Sequence, residues 1–276
     1  MCLTLLAGCS NLGLSFVNAL AVFGDYEVTK GHAYGDHQLN TLDIYEPKKL
    51  AGSAPVVAFF YGGCWGGCTT YPKSYYRFVA EALTAQGFVV AVVDYRRYPE
   101  VNFPEIMADT SAALAWLQGN IAEHGGDPDK LFASGHSAGA HMVATAALDP
   151  RYLDPENVKL AGVIGLAGPY DFLPFDEDYL FTLFGPEANW PESQPVNYAR
   201  AGTPFLLLHG KADDTVWAHN PNNLAAAVQE QGGSAEVIIY DNIGHVGILA
   251  AFASIRRKTA PVVEDIARFV RQHAAD

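Results

Sequence analysis

A chain of 276 residues and 29.7 kDa is long enough to build a core that needs no disulfide or metal to hold it. Half of its residues are hydrophobic and 17% are charged, which fits a globular protein and excludes collagen-like, coiled-coil and disordered classes. Thirty acidic against 17 basic residues leave a formal charge of −13; phosphate backbones and anionic headgroups are repelled overall, and with no basic patch larger than Arg256-Arg257-Lys258, nucleic-acid binding is set aside.

The chain opens MCLTLLAGC, and Leu6-Ala7-Gly8-Cys9 resembles the lipobox of bacterial lipoproteins, in which a cysteine becomes lipidated after cleavage. It departs from that pattern in a short apolar run with no Lys or Arg before Lys30. The expectation is a truncated lipoprotein signal over 1–9 with a lipid anchor on Cys9 and a membrane-held, periplasmic location, or a cytoplasmic one if the match is accidental. Residues 10–25 then read as a tether and a short apolar helix, and 26–276 as a single domain. No run of 18 or more apolar residues occurs, so no transmembrane helix is expected.

From Tyr26 the pattern alternates between strand-like and helix-like segments. Tyr26–Tyr34 and Gln38–Tyr45 read as antiparallel edge strands, and Pro55–Tyr61 and Phe88–Asp94 as continuous apolar runs typical of buried strands. Helices are expected at Lys73–Gln86 and Pro104–Glu123, the latter with proline at its start. Strand Leu131–Ser134, helix Ala138–Ala147 and strand Lys159–Leu166 follow. Residues 168–202, with five prolines and many aromatics, read as an insertion forming a lid or pocket wall. Strand Pro204–Leu208, helix Asn222–Gln231, strand Ala235–Tyr240 and helix Pro261–His273 complete the chain. The fold class is α/β, a doubly wound, mostly parallel sheet with helices on both faces.

Gly135-His136-Ser137-Ala138-Gly139 is a G-x-S-x-G run placed after a strand and before a helix, the context in which such a serine is lifted out of a sheet. A serine hydroxyl is a weak nucleophile, so it needs a histidine to take its proton and a carboxylate to orient that histidine. His245 follows the last strand, while His209 ends a buried strand and reads as a packed core histidine. His141 lies one helical turn beyond Ser137 and reads as packing. Asp213, Asp214 and Asp171 all follow late strands; Asp213 is preferred and Asp171 is its main rival. The glycine-rich segment Tyr61–Gly67 offers backbone amides that, with the N–H of Ala138, suit a developing oxyanion.

These residues resemble the α/β-hydrolase superfamily, and within it the serine esterases related to bacterial hormone-sensitive lipases, kynurenine formamidases and feruloyl esterases. The resemblance spans about 26–273 and rests on YGGCW at 61–65, DYRRYPE at 94–100, GHSAG at 135–139 and HGKADDTV at 209–216. It implies Ser137, Asp213 and His245 as the catalytic triad, selecting Asp213 over Asp214, and the N–H groups of Gly63, Cys64 and Ala138 as the oxyanion hole. Tyr61 and Cys64 depart from the family's histidine and small residue, without removing a backbone N–H.

Cys64 and Cys68 stand beside that loop, paired or free. Asp94 and Arg96 read as a local ion pair. No metal is expected, since no histidine pair has ligand spacing, and no cofactor is implied. Aromatic residues Trp65, Phe103 and Trp217, with the insertion, suggest an apolar pocket. The resulting expectation is a serine carboxylesterase acting on a small-molecule ester, short-chain or small aromatic. An arylformamidase or other amide hydrolase, a polysaccharide deacetylase, and a catalytically silent, membrane-tethered binding protein stay open.

Overall fold

A computed structural model of the chain describes residues 4–50, 52–154 and 156–275, with side chains from residue 13 onward. Eight strands, β1 (Tyr26–Ala33), β2 (Thr41–Pro47), β3 (Ala54–Phe60), β4 (Val89–Val93), β5 (Gly126–His136), β6 (Gly162–Leu166), β7 (Phe205–Gly210) and β8 (Ala235–Tyr240), form one sheet. Their order is β1-β2-β4-β3-β5-β6-β7-β8; β1 and β2 are antiparallel to their neighbours and every pairing from β4 to β8 is parallel. The α-helices are α1 (Thr4–Ala21), α2 (Arg77–Thr84), α3 (Phe103–Asn120), α4 (Ala138–Leu148), α5 (Asp178–Leu183), α6 (His219–Glu230), α7 (His245–Ala250) and α8 (Val262–His273). The expected α/β architecture is the one observed.

The apolar runs explain the centre of the sheet. β4 is valine-rich and fully buried, and β3 is buried from Val57 to Phe60, because helices cover both faces of parallel strands. α3 begins where Asn102 and Glu105 form a capping box and Pro104 occupies the first turn, whose N–H groups lack intrahelical partners. α4 is buried along its whole length beneath the nucleophile turn.

Four local expectations differ. β5 is longer than the expected Leu131–Ser134 and β6 begins three residues later than expected. α7 lies in a stretch with no expected element; it is short, and its glycine obscures the helical period. Instead of a tether and short helix over 10–25, one helix runs from Thr4 to Ala21. Leu14 and Val17 pack on the core, and Asn18 donates to the carbonyl of Tyr75. The side chains of the Leu6–Cys9 match, including Cys9, lie outside the described residues.

Candidate active site

Ser137 occupies the turn between β5 and α4 with φ 54° and ψ −122°, a left-handed conformation that non-glycine residues rarely adopt. The flanking glycines make this turn possible. A Cβ on Gly135 would lie 2.3 Å from the Gly139 backbone, and one on Gly139 would lie 2.0 Å from the carbonyl oxygen of Phe60. The N–H of Ser137 donates to Leu166 at 2.9 Å, tying the turn to β6.

His245, at the first position of α7, has Nε2 at 2.9 Å from Ser137 Oγ and Nδ1 at 2.9 Å from Asp213 Oδ2. The other carboxylate oxygen of Asp213 accepts the N–H groups of Val216 at 2.8 Å and Thr215 at 3.0 Å. Burial alone would raise the Asp213 pKa, but the hydrogen bonds from His245, Val216 and Thr215 outweigh it and hold the carboxyl below its usual range. Asp171 faces elsewhere, accepting Asn223 Nδ2 at 2.7 Å.

Two further histidines support this chain of bonds. His209 is buried and its Nε2–H donates to the carbonyl of Val216 at 2.8 Å, holding the turn that carries Asp213. His136, a neighbour of the serine that sequence reasoning passed over, donates from Nε2 to the carbonyl of His245 at 2.9 Å. Burial, reinforced by the nearby His245 ring, pushes its pKa down to about 3, so the ring stays neutral. His141 packs among aromatic rings and donates to Ser193 at 2.7 Å.

The loop after β3 carries Gly63, Cys64 and Trp65, all with positive φ. Cys64 is disulfide-bonded to Cys68, which settles the pairing left open by their spacing. Among the described residues, the N–H groups of Gly63 and Cys64 donate to no protein acceptor, and Ala138 opens α4, where N–H groups have no intrahelical partner. The base of the loop is braced by charge. Tyr61 donates to Asp94 at 2.6 Å, and Lys73 Nζ lies 3.1 Å from the other Asp94 oxygen. Tyr95 donates to the Tyr61 carbonyl at 2.7 Å. The expected Asp94–Arg96 pair is not formed: Arg96 instead pairs with Asp109 at 2.6 Å, because Asp94 faces Lys73.

A cavity of about 560 Å³ opens beside Ser137 and His245. Its walls are the loop after β3, Tyr71, Tyr76 and Phe78, Val246, Leu249 and Ala250 of α7, and Leu14 and Val17 of α1. The expected pocket aromatics are elsewhere. Trp65 is buried in a cluster with Phe172, Phe184 and His141, and Trp217 is 67% exposed beside His219; neither lines this cavity. Phe103 and the insertion's Phe172, Phe175, Phe184 and Trp190 belong to the same packed cluster and take no part in lining the cavity. The wall supplied by α1 falls within residues 10–25, which the sequence marks only as a tether and short apolar helix.

A mostly parallel sheet, a serine on the strand-to-helix turn and a histidine after the last strand define an α/β-hydrolase-fold protein with the site of a serine hydrolase. The BD-FAE family model matches residues 42–228, more than half of the chain, and the chain belongs to that family. It is 28% identical over 255 residues to an isoprenylcysteine alpha-carbonyl methylesterase of Arabidopsis thaliana, covering 83% of this chain and 59% of that protein. It is 29% identical over 265 residues to esterase LipC of Mycobacterium tuberculosis, covering 87% of this chain and 64% of the relative. Among solved structures, apo esterase 2 of Thermogutta terrifontis superposes with a TM-score of 0.73 at 26% identity, covering 90% of this chain and 94% of that one. The chain spans about 51% to 66% of the length of the first curated relatives.

Proposed function

We propose that this protein is a serine carboxylesterase that uses Ser137, His245 and Asp213. The observation that carries the reading is the continuous hydrogen-bonded line from Ser137 Oγ through both nitrogens of His245 to Asp213, beside backbone N–H groups without protein acceptors. Ser137 Oγ attacks the ester carbonyl as its proton passes to His245 Nε2, and Asp213 stabilises the imidazolium. The oxyanion is held by the N–H groups of Gly63, Cys64 and Ala138. His245 then protonates the departing alcohol, leaving an acyl group on Ser137. Water, deprotonated by the same ring, releases the acid and restores the serine.

Short-chain or small aromatic acyl groups are the proposed substrates. The Thermogutta esterase has been solved with propionate and with butyrate bound and after phosphonylation by sarin, which supports both a small acid product and a reactive serine here. Hydrolysis of p-nitrophenyl esters from acetate to decanoate, beside Ser137→Ala, tests the reading. Activity that favours the short chains and falls by about 10⁶ in the variant is expected; equal rates in both proteins would remove it.

A lipid on Cys9 is the second part of the proposal, resting on Leu6-Ala7-Gly8-Cys9. In the native host Cys9→Ser then moves the protein from the membrane to the soluble fraction; unchanged fractionation rejects the anchor.

A further inference from the structure

The cavity beside Ser137 opens between two segments far apart in sequence, α1 and the stretch that begins with α7. Residues 13–24 contain no charged side chain, and neither do residues 246–255. In a protein with 47 charged residues these are unusual neighbours for a cavity mouth. Each segment turns apolar residues both inward and outward. Leu14 and Val17 line the cavity while Phe16 is 57% exposed and Phe23 87% exposed. Leu249 and Ala253 line it from buried positions, Val246 lines its mouth while 69% exposed, and Ile255 stands outside it, 59% exposed. Glu81 of α2 joins the two segments. Its carboxylate pairs with Arg257 at 2.8 Å, and its side chain fills the space beside Gly24 at the end of α1.

Arg256 and Lys258 follow directly, both exposed and neither paired with a carboxylate among the described residues. Arg256 also lines the cavity. An uncharged rim with aromatic residues at its edge and cations beside it is the chemistry of a surface that enters a lipid headgroup layer. The formal charge of −13 opposes approach to an anionic surface only at a distance. At physiological salt, charges more than about 8 Å apart are largely screened, so the groups in contact decide.

We propose that α1 and residues 246–258 dock on an anionic lipid surface, with the cavity mouth facing that surface. An ester held there would pass its apolar part between Leu14, Val17 and Leu249 and present its carbonyl to Ser137; this last step rests on the esterase reading, whereas the docking does not. The triad then sets the small acyl group, and the surface adds a preference for esters whose alcohol part is amphiphilic.

The test uses the full chain bearing Cys9→Ser, so that no covalent lipid contributes, sedimented with vesicles of phosphatidylcholine alone or mixed with phosphatidylglycerol. The mixed vesicles are expected to carry down more protein than phosphatidylcholine alone. Phe16→Asp with Phe23→Asp is expected to lower the bound fraction by about tenfold, with an unchanged melting curve by circular dichroism and p-nitrophenyl acetate hydrolysis within about twofold. Absent binding, or equal binding by the variant, overturns the proposal. So does a concentration-dependent dimer, seen by light scattering, that the variant loses, because a second copy would then own the surface. If Ser137-dependent hydrolysis is absent from every protein, the esterase reading fails while the vesicle result is scored on its own.

Discussion

His136 donates its Nε2–H to the main-chain carbonyl of His245 at 2.9 Å, so the residue before the serine anchors the residue that faces the serine. The two rings lie 4.9 Å apart and share the strand-to-helix edge of the sheet. Because α7 starts at His245, this bond also fixes where that short helix begins.

His136→Phe retains a ring and loses the donor. A net hydrogen bond contributes about 1 kcal/mol, so kcat should fall roughly 5-fold while KM changes less than about twofold. Steady-state kinetics on one soluble ester, with a thermal melt to show that the fold persists, checks the split. A rise in KM at constant kcat would place His136 in substrate binding instead.

Asp213→Asn keeps the shape of the side chain and removes its charge. By analogy with other triads, kcat should drop by about 10³ to 10⁴. Asp171→Asn and Asp214→Asn should stay within about threefold of the parent, since neither carboxylate reaches His245. A large loss in Asp171→Asn alone would move the acid to that position.

Gly63→Ala probes the loop after β3. Gly63 has φ +116°, and a Cβ there would lie 2.3 Å from Thr70 Cγ2, so the loop must shift. Losing one aligned oxyanion donor costs about 10²- to 10³-fold in kcat. A variant that turns over at the parent rate would exclude the Gly63 amide from the reaction.

Acid should unfold the protein by way of its buried histidines. Burial pushes His136 down to about 3 and His141 down to about 4, and it lowers His209 as well. Unfolded histidines titrate near 6.5, so between those limits the unfolded chain binds more protons than the folded one. Stability is therefore complete above about pH 6.5 and declines as pH falls toward 4. Two such histidines give a slope of about 3 kcal/mol per pH unit near pH 5. Urea midpoints measured from pH 4.5 to 7.5 report it; a constant midpoint would contradict neutral burial.

The central strands were readable because β3 and β4 are nearly unbroken apolar runs, a pattern that only two-sided burial explains. Ser137 was readable for a different reason: the glycines around it answer to backbone clashes that any strand-to-helix turn must avoid. The cavity was not readable. Its walls come from α1 and α7, more than 200 residues apart, and no local period records that they meet. Aromatic content misled in the opposite direction, since Trp65, Phe172 and Phe184 pack on one another and on His141 rather than facing the cavity. Arg96 paired with Asp109 instead of Asp94 because Lys73, 21 residues upstream of Asp94, arrives there first in space.

The parallel half of the sheet hangs Ser137, Asp213 and His245 from loops at one edge, whereas one wall of the cavity is the first helix of the chain. One determinant of the cavity's shape is thus written far from the reacting groups, while the loop after β3 and α7 shape the cavity and carry reacting groups at once. A library that varies only residues 13–23 would reshape one wall of the cavity without touching Ser137, His245 or Asp213.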